Sequence, residues 1–413
     1  MKTEDRTVAI FIQSLQGGGA ERSTVNLANG LARAGVKIDL LLGNTDGVFT
    51  GDVSDKVNIV KIDKTPLWRS LFSVSPITLF FLFLLFLLPG SPKPLRVVPA
   101  LTAYLTRNRP AALMSVLDYG NVASIVAAES ARTGARVVIG QRNYLSEEYK
   151  RRAGWRRMLV KPTLGHFYKK AHAIVAVSKA AAQDLSETLS IDDEKVFAVY
   201  NAVANDDLRR RAQEELAHAW YGESRPPVIL AVGKLKPQKD FVTLLKAFRK
   251  VKDVLDCRLV ILGTGPQARE LKTLAEDLKI EPFVSFEGFS DNPFKYMRNS
   301  DLFVLSSAYE GLPGVLIQAL ACGCPVVSTD CPSGPDEILE GGEFGDLVPV
   351  GDEDALADAI IANLRRPHDR RRLAQRGAFF SEEAALSGYL DVLFERTHRR
   401  PIRADRPNWA SAD

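Results

Sequence analysis

VILAVGKLKPQKDFVTLLKAFRKVKDVLDCRLVILG, residues 228–263, reads as strand, loop, helix and strand. Its two ends are short runs of Val, Ile and Leu closed by Gly233 and Gly263, too short for helices. Between them TLLKAFRKV repeats its apolar residues at helical spacing. The same plan opens the chain: VAIFI (8–12), the loop Gln16-Gly17-Gly18-Gly19-Ala20, a helix from about Glu21 to Arg33, and the strand VKIDLLL (36–42). Val25, Leu27, Ala28, Leu31 and Ala32 make that helix's apolar face, and Gly35 ends it. Strands alternating with helices predict a parallel sheet covered on both faces. The restart of the plan after a polar stretch, 204–226, predicts two domains of similar architecture.

Outward from these runs come ALMSVL (112–117), RVVIG (136–140), AIVAVS (173–178) and VFAVY (196–200) in the first half. VSFEGF (284–289), LFVLS (302–306), a helix over 313–322, PVVS (325–328) and a last helix from Asp352 follow in the second. Ser178 stands at a helix N-cap position. We place an N-terminal domain at 1–205, a C-terminal domain at 225–385 and a basic tail at 386–413. A chain of 413 residues suits two domains, and a net charge of +4 argues against wholesale nucleic-acid binding. Four cysteines, at 257, 322, 324 and 331, form neither a disulfide framework nor a zinc pattern and read as buried thiols in a reducing compartment. MKTEDRTVAIFI lacks the basic start and long apolar core of a secretory signal.

In doubly wound sheets ligands bind beyond the carboxyl ends of the strands, so the loops after each strand carry the chemistry. Gly17-Gly18-Gly19 allow close approach of a phosphate or sugar to a helix N-terminus; a plain tight turn is the competing reading. A dinucleotide site is excluded: the sixth place from Gly17 is Arg22, and Gly43-Asn44 stand where a ribose-binding acid belongs. After VILAV, Lys234 and Lys239 are placed to converge on a pyrophosphate or simply to be solvated. The third loop is Tyr309-Glu310-Gly311-Leu312-Pro313-Gly314-Val315, running into a helix that carries Gln318 and closes at Gly323. Glu310, just outside the helix, and Gln318, more than a turn inside, suit the two ends of an extended ligand, or else a dipole-stabilising acid and a solvated amide.

This combination resembles the retaining glycosyltransferases of family 4, which have the GT-B fold: two Rossmann-like parallel-sheet domains facing each other across a cleft. The resemblance rests on Gly17-Gly18-Gly19-Ala20-Glu21, Ala176-Val177-Ser178, Tyr200-Asn201, Gly233-Lys234 with Lys239, Glu310-Gly311-Leu312-Pro313 and Ala321-Cys322-Gly323-Cys324-Pro325-Val326-Val327, in the family's order from about Val8 to Ile360. It implies that Lys234 and Lys239 hold the diphosphate of a nucleotide-sugar, a UDP-sugar being favoured. Glu310 would contact the donor sugar, the turn Gly311–Val315 would support sugar and phosphate, Gly18 and Gly19 would face the donor, Phe289 and Ser290 would lie near the base, and Gln318 would hold the ribose. Arg142 and Asn143 are implied on the acceptor side. The chain departs from the family's pattern twice: Gln318 stands where Glu is usual, and Gly140-Gln141-Arg142-Asn143 where relatives often have Ser-Glu-Arg-Asn.

The resemblance implies sugar transfer with retention, without metal or other cofactor. The acid triplet Asp352-Glu353-Asp354 opens the last helix, where acids favour the dipole, so we expect no metal there. A nucleotide-sugar epimerase on the same fold and a non-catalytic nucleotide-sugar-binding protein are the rival readings.

LFSVSPITLFFLFLLFLL (71–88) breaks the soluble pattern within an apolar insertion at about 70–92. A single crossing of a membrane would divide strands that belong to one sheet, and there are too few residues for two. A helix lying in the membrane interface, or a shallow hairpin, fits better than a core helix, with Lys64, Arg69, Lys93 and Arg96 against anionic headgroups. Lys150, Arg151, Arg152, Trp155, Arg156 and Arg157 form a second basic–aromatic cluster. We therefore expect a cytoplasmic protein, peripheral at the inner membrane face, with a glycan or lipid-linked acceptor and no nucleic-acid partner.

Overall fold

The computed structural model describes residues 6–16, 18–65, 76–86, 96–150 and 154–395, with the side chains at 85, 86, 148, 154–157 and 160 outside the description. The chain divides into two compact units, one of residues 1–202 with 385–413 and one of residues 203–384.

In the first unit seven parallel strands run in the order β3-β2-β1-β4-β5-β6-β7: β1 (Thr7–Ile12), β2 (Lys37–Leu42), β3 (Val57–Lys61), β4 (Ala112–Val116), β5 (Arg136–Gln141), β6 (Ala173–Ala176) and β7 (Val196–Ala198). Successive side chains alternate across the sheet, so β1 feeds two cores at once. Ala9 and Phe11 pack with Leu41, Leu113 and Ile139 under helices 98–108, 118–131, 154–168 and 179–189. Val8, Ile10 and Ile12 pack with Leu40, Met114 and Val138 under helix Gly19–Arg33. Burial on both faces is why these strands are continuously apolar.

The second unit repeats the plan with six parallel strands ordered β10-β9-β8-β11-β12-β13: β8 (Val228–Val232), β9 (Arg258–Leu262), β10 (Val284–Gly288), β11 (Leu302–Leu305), β12 (Val326–Thr329) and β13 (Asp346–Val348). In each unit the order reverses beside the first strand, between β1 and β4 and between β8 and β11. At such reversals the flanking loops diverge to opposite faces and leave room for a ligand. Two Rossmann-like parallel-sheet domains are the architecture expected from the alternating runs.

Three features differ from the sequence reading. The segment read as polar between the domains contains helix Asp206–Ala212, capped by Asn205, and the residues from Val203 pack with the second unit. The start of the segment read as a tail, 386–394, lies in helix Glu382–Phe394, whose Tyr389, Val392 and Leu393 enter the core of the first unit. Ser387, Gly388 and Asp391 interrupt the apolar positions, which hid their register; residues 396–413 lie outside the described ones.

The third is the apolar insertion. Residues Pro76–Phe86 form a helix that is neither wholly buried nor wholly free. Leu82 and Thr78 are buried, Phe81 stacks on His166 at 4.0 Å, and Lys170 donates from Nζ to Thr78 Oγ1 at 3.2 Å. Ile77, Phe80 and Phe83 remain 58–64% exposed, with Leu79 beside them. Spacings of three along a helix put Ile77, Phe80 and Phe83 on one stripe. Among the described residues no helix is long and apolar enough to cross a membrane. Arg69, Lys93, Arg151 and Arg152 lie outside the described residues, as do the side chains of Trp155, Arg156 and Arg157.

Candidate functional site

The loops after β8 and β11, on either side of the second unit's reversal, meet. Pro237–Lys239 form a single 3-10 turn, and Asp240, in the left-handed region at φ 46°, caps helix Phe241–Lys252 through the amide of Thr243. This turn delivers Lys239 to Glu310 across the reversal, Nζ to Oε1 at 2.5 Å, both side chains at most 16% exposed. Backbone stitching fixes the approach: the Ala308 amide donates to the Gln238 carbonyl at 2.8 Å, and Gln238 Nε2 donates to the Tyr309 carbonyl at 2.8 Å. The Ser306 hydroxyl donates to the Lys239 carbonyl at 2.9 Å, and the Ser307 hydroxyl to Glu310 Oε1 at 2.6 Å. Glu310 thus spends one carboxylate oxygen on Lys239 and Ser307, and its Oε2 has no side-chain partner among the described residues. Thr329 in turn holds the Ser307 carbonyl at 2.6 Å.

Pro313 is the N-cap of helix Gly314–Ala321 rather than its first residue. Its carbonyl receives the Leu316 amide at 3.0 Å, so the amides of Gly314 and Val315 have no acceptor within the helix and point out of its N-terminus. Gly334, at φ 97°, makes this turn possible: a Cβ there would stand 2.5 Å from Pro313 Cδ. The Ser333 hydroxyl holds the Gly311 carbonyl at 2.6 Å, and Leu312 is buried. Gln318, half-buried, lies four residues into the helix, about 6 Å along its axis. Lys234 is exposed and is not brought to Glu310. Gly263 packs a backbone turn so closely on Gly233 that a Cβ would lie 1.9 Å from its carbonyl oxygen. Phe289, 62% exposed, and Ser290 follow edge strand β10, two strands from β8, hence about 10 Å across the same sheet end.

In the first unit Gly18 is the extended N-cap of helix Gly19–Arg33, two residues earlier than the sequence reading placed its start; Gly17 lies outside the described residues. Glu21 folds back over this N-terminus, its Oε2 only 2.5 Å from where a Cβ on Gly18 would be. A carboxylate already offsets the positive helix end there, so a neutral sugar suits the turn better than a phosphate. At the carboxyl end of β5, Arg142 donates to Asn201 Oδ1 at 2.5 Å and to the Tyr389 hydroxyl at 3.3 Å, and the Asn143 carbonyl receives Gln141 Nε2 at 3.1 Å. Beside them Asn121, fully buried, binds the Gly140 carbonyl and the Tyr168 hydroxyl at 3.1 Å each. Tyr168 and Tyr149 both donate to Asp118, which follows Leu117, a non-glycine residue at φ 72°.

Ser306, Ser307, Gln238, Thr329 and Ser333 escape the sequence reading. For the four hydroxyl residues the signal is a run of Ser and Thr after LFVL and VVS; Gln238 stands in the lysine loop, and only folding shows which acceptor each meets. Asp352 caps helix Glu353–Arg365 and Asp354 pairs with Lys250, and among the described residues no acidic, histidine or thiol cluster is arranged for a metal. Cys257, Cys324 and Cys331 are buried and Cys322 nearly so; burial pushes the Cys257 thiol up to about 11 and the Cys322 and Cys331 thiols up to about 12. Thiols so held are poor nucleophiles.

Residues 17–207 match the family model described as Glycosyltransferase Family 4, and residues 213–378 the model described as Glycosyl transferases group 1. The chain is 33% identical to the N-acetylgalactosamine-N,N'-diacetylbacillosaminyl-diphospho-undecaprenol 4-alpha-N-acetylgalactosaminyltransferase of Campylobacter jejuni, over 86% of this chain and 88% of that one. It is 36% identical to the lipopolysaccharide core biosynthesis glycosyltransferase LpsE of Rhizobium meliloti over 40% of this chain and 49% of that one. In fold it is similar to Anabaena HepE in complex with UDP and glucose, TM-score 0.68 at 19% identity, covering 94% of this chain and 97% of that one.

Proposed function

This chain belongs to glycosyltransferase family 4, of the GT-B fold, and from that membership we propose that it moves a sugar from a UDP-sugar to a lipid-linked glycan acceptor at the membrane, with retention. The observation that carries the donor half is the Lys239–Glu310 pair at the reversal between β8 and β11. Lys239 supplies positive charge where a departing diphosphate gathers negative charge, and the amides of Gly314 and Val315 add a second counter-charge. Glu310 Oε2 accepts from a donor-sugar hydroxyl; its other oxygen is occupied, which suits orientation rather than covalent attack. Phe289 then lies near the base, Lys234 near the outer phosphate and Gln318 at the ribose.

Transfer proceeds on one face. The bond between the anomeric carbon and the diphosphate oxygen breaks, its electron pair leaving with the diphosphate. The acceptor oxygen bonds the anomeric carbon on the same face, and the acceptor proton passes to the departing diphosphate. The protein contributes positioning and charge. The lipid-linked acceptor is supported by the undecaprenol-linked substrate named for the Campylobacter relative and by the apolar stripe Ile77–Phe83 on the first unit.

The test is a thermal-shift screen with UDP, GDP, ADP and their sugar conjugates, followed by a transfer assay with the stabilising donor. Binding the folded state raises the melting temperature by mass action. A shift confined to uridine nucleotides together with turnover is the expected result. Binding without turnover or hydrolysis means a non-catalytic binder, the reading that Gln318 favours; interconversion of the sugar means an epimerase.

Gln318→Glu is expected to hold or raise donor affinity, by up to about tenfold, because a carboxylate accepts from both ribose hydroxyls where an amide accepts one and donates one. Titration of the nucleotide against melting temperature reads this directly. A large loss of affinity removes position 318 from the ribose.

A further inference from the structure

Among the described residues of the first unit, one guanidinium is met by no carboxylate. Arg142 uses one nitrogen, Nη1, for Asn201 and Tyr389, both neutral. Its Nε and Nη2 are buried and have no protein partner among the described residues. Those two nitrogens form one edge of the planar fork, the edge that takes two oxygens of a carboxylate or phosphate in parallel. Buried guanidinium nitrogens without a counter-ion destabilise the fold, and a bound anion offsets that loss. The strand end that carries it is rigidly held, since Asn121 clamps the Gly140 carbonyl and Tyr168 and Tyr149 fix Asp118 behind it. On the same strand end Gln141, 2% exposed, has a buried side-chain oxygen with no protein partner.

We propose that Arg142 is an oxyanion hook of the N-terminal unit, holding a phosphate of a diphosphate-linked acceptor through its free Nε–Nη2 edge. Gln141 Oε1 accepts from a hydroxyl of the same acceptor. The inference deepens the acceptor reading above and rests on it; the donor phosphates remain with Lys239 in the other unit. Phosphate is favoured over carboxylate because the diphosphate is present in every acceptor of that class, whatever its sugars.

Equilibrium dialysis with radiolabelled inorganic pyrophosphate tests it on the full chain. The wild type is expected to bind at two classes of site. Arg142→Gln weakens one class by at least about tenfold and spares the other, and Lys239→Ala does the converse. Asn201→Asp keeps the shape of the contact and neutralises the guanidinium, so the Arg142 class weakens while the melting temperature holds; this arm stands if Arg142→Gln does not fold. Unchanged pyrophosphate binding in both Arg142→Gln and Asn201→Asp overturns the proposal. Loss of nothing in Lys239→Ala instead removes the donor assignment and leaves Arg142 in place. Flotation with phosphatidylglycerol vesicles is expected to be equal for the wild type and Arg142→Gln; loss of flotation assigns the guanidinium to a lipid headgroup and overturns the acceptor source.

Discussion

Lys239→Ala is expected to lower turnover by about 10²–10³-fold while leaving the KM for the acceptor unchanged, the size of effect seen when one transition-state charge stabiliser is removed. The lysine lies on the donor side, so the acceptor has no reason to bind differently. The same change strands Glu310, whose side chain is 9% exposed, without its cation. Removing one partner of a buried pair costs about 3 kcal/mol or more, so the melting temperature falls as well. A second variant separates the two effects. Glu310→Gln in the Lys239→Ala background removes the stranded charge and keeps an acceptor for the Ser307 hydroxyl. Stability is expected to return and turnover is not. Turnover that recovers with stability makes the pair structural; turnover unchanged in the single variant removes Lys239 from the site.

Replacing Ile77, Phe80 and Phe83 together by Gln is expected to abolish association with anionic vesicles. Burying such a side chain stabilises by about 1.5–3 kcal/mol, and three of them, partly inserted, account for about 4–6 kcal/mol, or roughly 10³–10⁴ in partitioning. The three side chains are 58–64% exposed, so the fold should lose little: about 0.5 kcal/mol or less at each. Leu82→Ala is the opposite case on the same helix. Leu82 is 2% exposed and packs in the core, so unfolding becomes easier by about 2–3 kcal/mol while vesicle binding persists. Flotation and thermal melts on the two variants read both quantities. Flotation that survives the triple change removes the stripe from the membrane reading. Deleting the whole segment is the poorer test, because it removes the packed Phe81 and Leu82 and uncovers His166 along with taking away the exposed stripe.

Much of the architecture is legible in local pattern. VAIFI and VILAV are apolar without interruption because each strand is covered on both faces, and the glycines at 35, 233, 263 and 323 punctuate the elements. The repeated strand–loop–helix–strand plan therefore indicates two parallel sheets without any knowledge of contacts. Strand order follows less directly, yet the loops after the first and fourth strands of the second half stand out by their residues alone, and Lys239 and Glu310 sit in them.

What the sequence by itself determined is thus the set of elements and the family's marker residues, because periodicity, turn chemistry and helix ends are properties of neighbours along the chain. Only the tertiary structure decided the pairings across distance: Lys239 with Glu310 over 71 positions, Arg142 with Tyr389 over 247, and which stripe of the apolar helix is covered. Those pairings follow from how sheets and helices pack in three dimensions, where a side chain's charge is answered, or left unanswered, by groups that no local spacing reveals.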